Sequence, residues 1–159
     1  MIEYLQDFTS QVPQALQWIV VILLGMVPFV ESYNGSALGV VAGLPVFVAV
    51  PAAVAGNLVS MMAVVAVSSR VRERVLAGRG GDASEPSPRR AKLKERFDRY
   101  GVAGVALLGP LALPSQITAA ATVSFGATRG AVVFWHAVAI VLWGVGVGVL
   151  VSLGVAVLT

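Results

Sequence analysis

Apolar residues fall into four blocks, 12–30, 35–67, 101–128 and 130–159, and the one extended polar stretch is 68–100. A straight helix needs about 20 apolar residues to cross about 30 Å of hydrocarbon. The first and last blocks meet that length. Residues 35–67 are long for one crossing and short for two. Pro45 and Pro51 interrupt them, and Pro51 is the stronger expected break, because proline suits the start of a new helix. Residues 52–67 then supply one crossing. In the third block, 101–113 and 115–128 flank Pro114, and each piece is too short to span. Two short helices meeting at a proline read as a re-entrant hairpin, with Pro28, Pro110 and Pro114 as the expected helix breaks.

This pattern predicts an all-α integral membrane protein of two inverted halves, each a broken-helix or re-entrant hairpin plus a spanning helix. The halves are 1–67 and 101–159. The stretch between them, 68–100, carries ten of the eleven Lys and Arg residues against Glu73, Asp82, Glu85, Glu95 and Asp98. Short loops rich in Lys and Arg stay cytoplasmic. With an odd number of crossings per half, both termini lie outside a multi-pass protein of the cell membrane. Two crossings in the first half would instead make the N-terminus cytoplasmic. Within the linker, 78–88 reads as flexible loop. In RRAKLKERFDRY, Leu93, Phe97 and Tyr100 share a face, which fits an interfacial helix or a solvated extension of the third block.

Composition narrows the classes. Hydrophobic residues make up 57% of the 159 and charged residues 12%, about half the charge of a soluble domain. The 17 glycines and 8 prolines show no Gly-X-Y period and are tolerated in membrane helices. No cysteine is present, which removes disulfides, thiolate metal sites and cysteine nucleophiles. The formal charge of +3 follows from the linker and indicates topology rather than nucleic acid. MIEYLQDFTSQ at the start lacks the basic residues of a signal peptide, so the first apolar run is expected to be retained.

Glu31 is the sharpest chemical signal, the only acid between Asp7 and Glu73. A carboxylate at membrane depth usually faces a cavity, a pathway or a partner, and Ser32, Tyr33 and Asn34 beside it add donors and acceptors. It reads as a proton-coupling or substrate group, or as the first residue of an aqueous loop after 12–30. The second polar cluster, Pro114, Ser115, Gln116 and Thr118, fits substrate or ion binding, or satisfaction of the broken backbone. Pro28 is expected to bring Glu31, Tyr33 and Asn34 toward it. Gly35, Gly39 and Gly43 recur on one helix face, and Gly56 precedes Asn57; both patterns signal close helix packing. Arg129 reads as a headgroup anchor or a partner for Glu31. The single histidine, His136, reads as a helix–helix hydrogen bonder or a proton relay. One histidine and no cysteine give no metal site, and no cofactor motif or enzyme nucleophile stands out. Trp18, Trp135 and Trp143 read as interface or packing rings.

The stretches PFVESYNGSALG, with Pro28, Glu31 and Gly35, and RYGVAGVALLGPLALPSQITAA, with Tyr100, Gly101, Gly104, Pro110 and Pro114, resemble the small multi-drug export protein family over nearly the whole chain. Tyr33 and Asn34 stand where that family has an arginine, so Glu31 lacks a local arginine partner. The layout also resembles DedA-type membrane proteins more distantly, which implies proton-coupled movement of lipid carriers. The resemblance implies a small secondary transporter or exporter, proton-coupled, for an amphiphilic small molecule or lipid. Membrane lipids and a second copy of the chain are its expected partners. A non-catalytic membrane scaffold packed through its glycines is the alternative, and a lipid-modifying enzyme stands third.

Overall fold

The computed structural model describes residues 12–77 and 88–158. The expected N-terminal reading at 1–11 and all of the expected loop 78–88 except Pro88, which begins a helix, lie outside them. The described residues form an all-α fold of six helices: α1 Gln14–Met26, α2 Glu31–Val41, α3 Val46–Ala77, α4 Pro88–Leu108, α5 Ser115–Ser124 and α6 Arg129–Leu158, with a 3-10 turn Gly109–Leu111 before α5. They contain no strand.

Both short helices, α2 and α5, end in the same way. Gly43 takes φ +95° and Gly126 φ +108°. At α2, Leu44 N–H donates to Gly39 O and Gly43 N–H to Val40 O, both at 3.0 Å. At α5, Ala127 N–H donates to Thr122 O and Gly126 N–H to Val123 O, both at 3.1 Å. This crossed pair of bonds satisfies the last carbonyls of a helix and calls for a left-handed residue, usually glycine. Each turn is followed at once by a long helix.

Two expectations for this region are corrected. The chain breaks at Gly43–Pro45, and Pro51 lies inside α3. Pro45 comes first and its carbonyl accepts from Val48 at 2.8 Å and Ala49 at 2.9 Å, so it already starts the helix, and Pro51 removes only one interior bond. Gly43 does not share the packing face of Gly35 and Gly39. It sits past the helix end, and a Cβ there would meet nothing within 4 Å. Gly43→Ala is therefore expected to lower stability by about 1–2 kcal/mol from backbone conformation alone, which thermal unfolding in micelles would measure. The apolar run ends at Val67, and α3 continues beyond it to Ala77. Arg70, Arg72, Glu73, Arg74 and Ala77 are compatible with helix, so the helix outlasts the apolar run.

α4 is two helices joined at Gly101, whose φ of 65° and ψ of −164° are essentially reserved for glycine. The linker helix therefore does not run straight into the third block. On its inner face Leu93 is buried, Phe97 half-buried and Tyr100 exposed.

Packing divides the chain into two compact units, 1–60 with 140–159 and 61–139. In the first unit the core is Val21, Val40, Leu44, Ala49, Ala52 and Ala53, and small residues set the helix spacing. A Cβ on Gly25 of α1 would overlap the Ala53 carbonyl oxygen of α3, and one on Gly56 of α3 would overlap the Ile22 carbonyl oxygen of α1. One face of α2 lies on α3, where added Cβ atoms would stand 3.1 Å from Ala53 Cβ at Gly35 and 2.9 Å from Ala49 Cβ at Gly39. Another face meets α6, where Gly144 lies under Ser32 and Gly148 under Ser36, with added Cβ atoms at 3.1 and 3.2 Å from the serine Cβ atoms. Helices that lack side chains at the crossing approach closely enough for backbone contact.

Candidate functional site

Each unit carries a buried polar cluster at the start of its short helix. In the first, α1 stops at Met26 and Val27 is extended, with φ −76° and ψ 125°. Pro28 follows, then Phe29 at φ 73° and Glu31 at φ 55°. Two non-glycine residues in the left-handed region within three positions mark local backbone strain, which tends to collect at functional sites. Asn34 Nδ2 donates to Phe29 O at 3.1 Å, and Glu31 N–H donates to Val27 O at 3.1 Å, so the turn is tied across the break. Pro28 and Phe29 are exposed, whereas Glu31 is 1% exposed. Tyr33 and Asn34 are half-buried. Glu31 occupies the first turn of α2, where the helix dipole favours a negative charge. It is the only Asp, Glu, Lys, Arg or His in 12–60 and 140–158. Ser32 is also buried, and its hydroxyl donates to Ile140 O of α6 at 2.8 Å.

The second cluster follows the 3-10 turn, which holds Pro110 near its start, and Pro114, extended at φ −56° and ψ 145°. Ser115, Gln116, Thr118 and Thr122 of α5 and His136 of α6 are all buried. His136 Nδ1 lies 2.9 Å from Val132 O, and since a carbonyl only accepts, Nδ1 carries the proton. In the neutral ring Nε2 then accepts from the Thr118 hydroxyl, 3.2 Å away. That hydroxyl also lies 3.1 Å from Ser115 O, and Thr122 Oγ1 donates to Ala119 O at 2.9 Å. Ser115 and Gln116 side chains meet at 3.5 Å. Thr118 and Thr122 thus bond nearby carbonyls of α5, and Thr118 also meets His136 of α6. Thr118→Val keeps the volume but leaves Nε2 buried without its donor, an expected loss of about 1–3 kcal/mol. Thr118→Ser should recover most of it, and chemical denaturation of the two variants in micelles would show the difference.

The Glu31 and Ser115–Thr118 clusters belong to different units. Gly35, Gly39 and Gly56 lie at helix crossings. Arg129 is exposed at the first residue of α6. Among the described residues no group of three His, Asp or Glu side chains could hold a metal ion. Buried Gln17, Ser36 and Thr122 carry no signal of their own in the sequence, nor do Gly25, Gly144 and Gly148, whereas buried Ser32 and Asn57 stand beside Glu31 and Gly56. Only spacing marks several of them: hydroxyls four apart at Ser32 and Ser36 and at Thr118 and Thr122, and glycines four apart at 144 and 148. Compared with protein-family models, curated proteins and solved structures, the chain gives no match.

Proposed function

We propose that this chain is a multi-pass protein of the cell membrane acting as a small proton-coupled secondary transporter for an amphiphilic or lipid-like substrate. The observation that carries the reading is Glu31: a carboxyl group 1% exposed, at a helix break where Phe29 and Glu31 itself take positive φ. Such a group at membrane depth belongs to a pathway or a coupling site.

Two features support placement in a bilayer. Val46–Val75 and Arg129–Val157 are each long and apolar enough to cross a membrane. On α6, Leu142, Leu150, Leu153 and Val157 are exposed, which suits lipid rather than water. The inverted-halves reading is supported locally: each half runs from a proline-bearing break through a short helix and a left-handed glycine into a long helix. Membership of the small multi-drug export family, on Pro28, Glu31, Tyr100, Gly101 and Pro114, is part of the same proposal. Its partners are membrane lipids and a second copy of the chain, and it includes no enzymatic step.

Topology is checked with single cysteines at Ser10, Ala83 and Thr159, labelled by an impermeant thiol reagent in whole cells. Labelling at Ser10 and Thr159 but not Ala83 is expected, and labelling only at Ala83 would reverse the orientation. For transport, proteoliposomes with and without a pH gradient are offered ethidium or a fluorescent short-chain phospholipid. Gradient-dependent accumulation that a protonophore collapses is expected. Uptake equal to that of empty vesicles would favour the scaffold alternative, for which the tightly packed glycine crossings of the first unit are the favouring observation.

A further inference from the structure

The second unit carries an apolar groove of about 460 Å³ between α4 and α5, a volume in the range of ligand sites. Leu93, Leu113, Ile117 and Ala121 line it, and Arg90 and Ser124 stand at one end. Since Leu113 precedes α5 and Ser124 ends it, the groove follows that helix for its length, roughly 15 Å.

Its polar end is organised. Arg90 Nη2 donates to Ser124 Oγ at 3.3 Å, and the guanidinium lies 5.9 Å from the Phe125 ring centroid. Lys94 Nζ lies 5.9 Å from the same ring and 6.0 Å from Phe97, and the two rings are 5.6 Å apart. Cations over aromatic faces are held in place by the ring quadrupole. Lys94 also pairs with Asp98. An Arg72 nitrogen would come within 3.5 Å of a Cβ on Gly126, and Arg129 begins α6 three residues later. Three cationic side chains, Arg72, Arg90 and Lys94, therefore stand near the end of α5.

We propose that this groove binds one anionic phospholipid, its phosphate on Arg90 and Ser124 and one acyl chain along Leu93, Ile117 and Leu113. The planar guanidinium offers paired donors that match two phosphate oxygens. The apolar floor matches a chain, and the cationic rim favours a headgroup of net negative charge over one carrying a choline. A basic rim is also the side of the protein expected to face the anionic cytoplasmic leaflet. The proposal rests on the membrane reading and is independent of transport.

The test uses the full-length protein in micelles containing equal amounts of phosphatidylglycerol and phosphatidylcholine, with bound lipid counted by native mass spectrometry. One retained phosphatidylglycerol per chain, in excess over phosphatidylcholine, is expected. Arg90→Gln should lower it about tenfold, as for loss of a charge-assisted bond, and Ile117→Trp should lower it by filling the groove. Lys92→Gln, a charge on the same helix outside the groove, should leave it unchanged. Millimolar inorganic phosphate should not displace the lipid. The proposal fails if phosphatidylcholine is retained equally, if Lys92→Gln loses as much as Arg90→Gln, or if Ile117→Trp changes nothing. Displacement by phosphate would show an anion site without a lipid groove and would also overturn it. Thermal unfolding of each variant separates lost binding from lost folding, and Ile117→Trp keeps the test open should Arg90→Gln not fold. Sedimentation of the parent chain with membranes tests the membrane reading separately, because a chain that inserts but shows no lipid preference defeats only the groove.

Discussion

Gly56→Ala is expected to destabilise the protein by about 2 kcal/mol, the middle of the range for overpacking a tight contact. The sign is the informative part. Alanine normally stabilises a helix interior by about 1 kcal/mol over glycine. At Gly56, however, the new Cβ would overlap the Ile22 carbonyl oxygen of α1, and backbone cannot swing aside as a side chain can. α1 and α3 would have to separate, loosening the reciprocal contact of Gly25 on Ala53 and the core around Val21, Ala52 and Ala53. Gly146 and Gly154 of α6 are the controls, since a Cβ on either meets nothing within 4 Å. Gly146→Ala and Gly154→Ala should be neutral or stabilising. Tryptophan fluorescence during unfolding in micelles reads all three variants. A Gly56→Ala protein as stable as its parent would mean that α1 and α3 do not pack at this distance.

The same crossings show what the sequence made legible. Runs of apolar residues broken by proline gave an all-α chain, and that much the structure shares. Spacing of glycines located a packed face at Gly35 and Gly39, because a four-residue repeat needs only helical geometry. It misplaced Gly43, since a glycine just past a helix end and one inside it look identical until the following residues are read. Here Leu44 and Pro45 carried the missing signal: a glycine followed by a proline two residues later is the usual way a helix stops. Reading that stop first would also have demoted Pro51 from break to interior residue. The length of α3 was hidden for a different reason. Hydropathy reports where a helix meets a polar environment, and Arg70 to Ala77 continue the helix after the apolar run is over.

The polar clusters were legible in part. Glu31, Ser115, Gln116, Thr118 and His136 stood out because polarity is rare in this chain. Ser36 did not, and Ser32 drew notice only as a neighbour of Glu31, because a serine in a helix so often points outward. Their burial depends on Gly144 and Gly148, more than a hundred residues away in sequence, and no local pattern joins the two pairs. The bond from the Thr118 hydroxyl to His136 likewise requires α5 and α6 to be adjacent, whereas the bond from His136 to Val132 O is set by helical spacing alone.

Glu31→Gln is expected to abolish the dependence of transport on a proton gradient while leaving the protein folded. Glutamine has nearly the size and shape of a protonated glutamate and keeps hydrogen-bonding capacity, so the tied turn at 27–31 and the contact of Ser32 with Ile140 should survive. What it cannot do is gain and release a proton. Removing the option of a buried charge should hold stability constant or raise it, because burying an ionised carboxyl carries a large desolvation cost. Glu31→Ala removes the polar atoms as well and should lose stability in addition to coupling. The two variants therefore separate chemistry from architecture: coupling falls in both, stability in one. Gradient-driven uptake of ethidium or fluorescent phospholipid, at equal reconstituted protein and across external pH, supplies the measurement. In the parent the rate should vary with pH, and in Glu31→Gln it should be flat and low, at least about tenfold below the parent at its optimum, as befits loss of an essential proton-transfer group. Identical profiles for parent and Gln variant would remove Glu31 from the coupling step. Failure of the Gln variant to fold would make Glu31 a structural carboxylate, moving the balance toward a scaffold held by the α1, α2, α3 and α6 crossings.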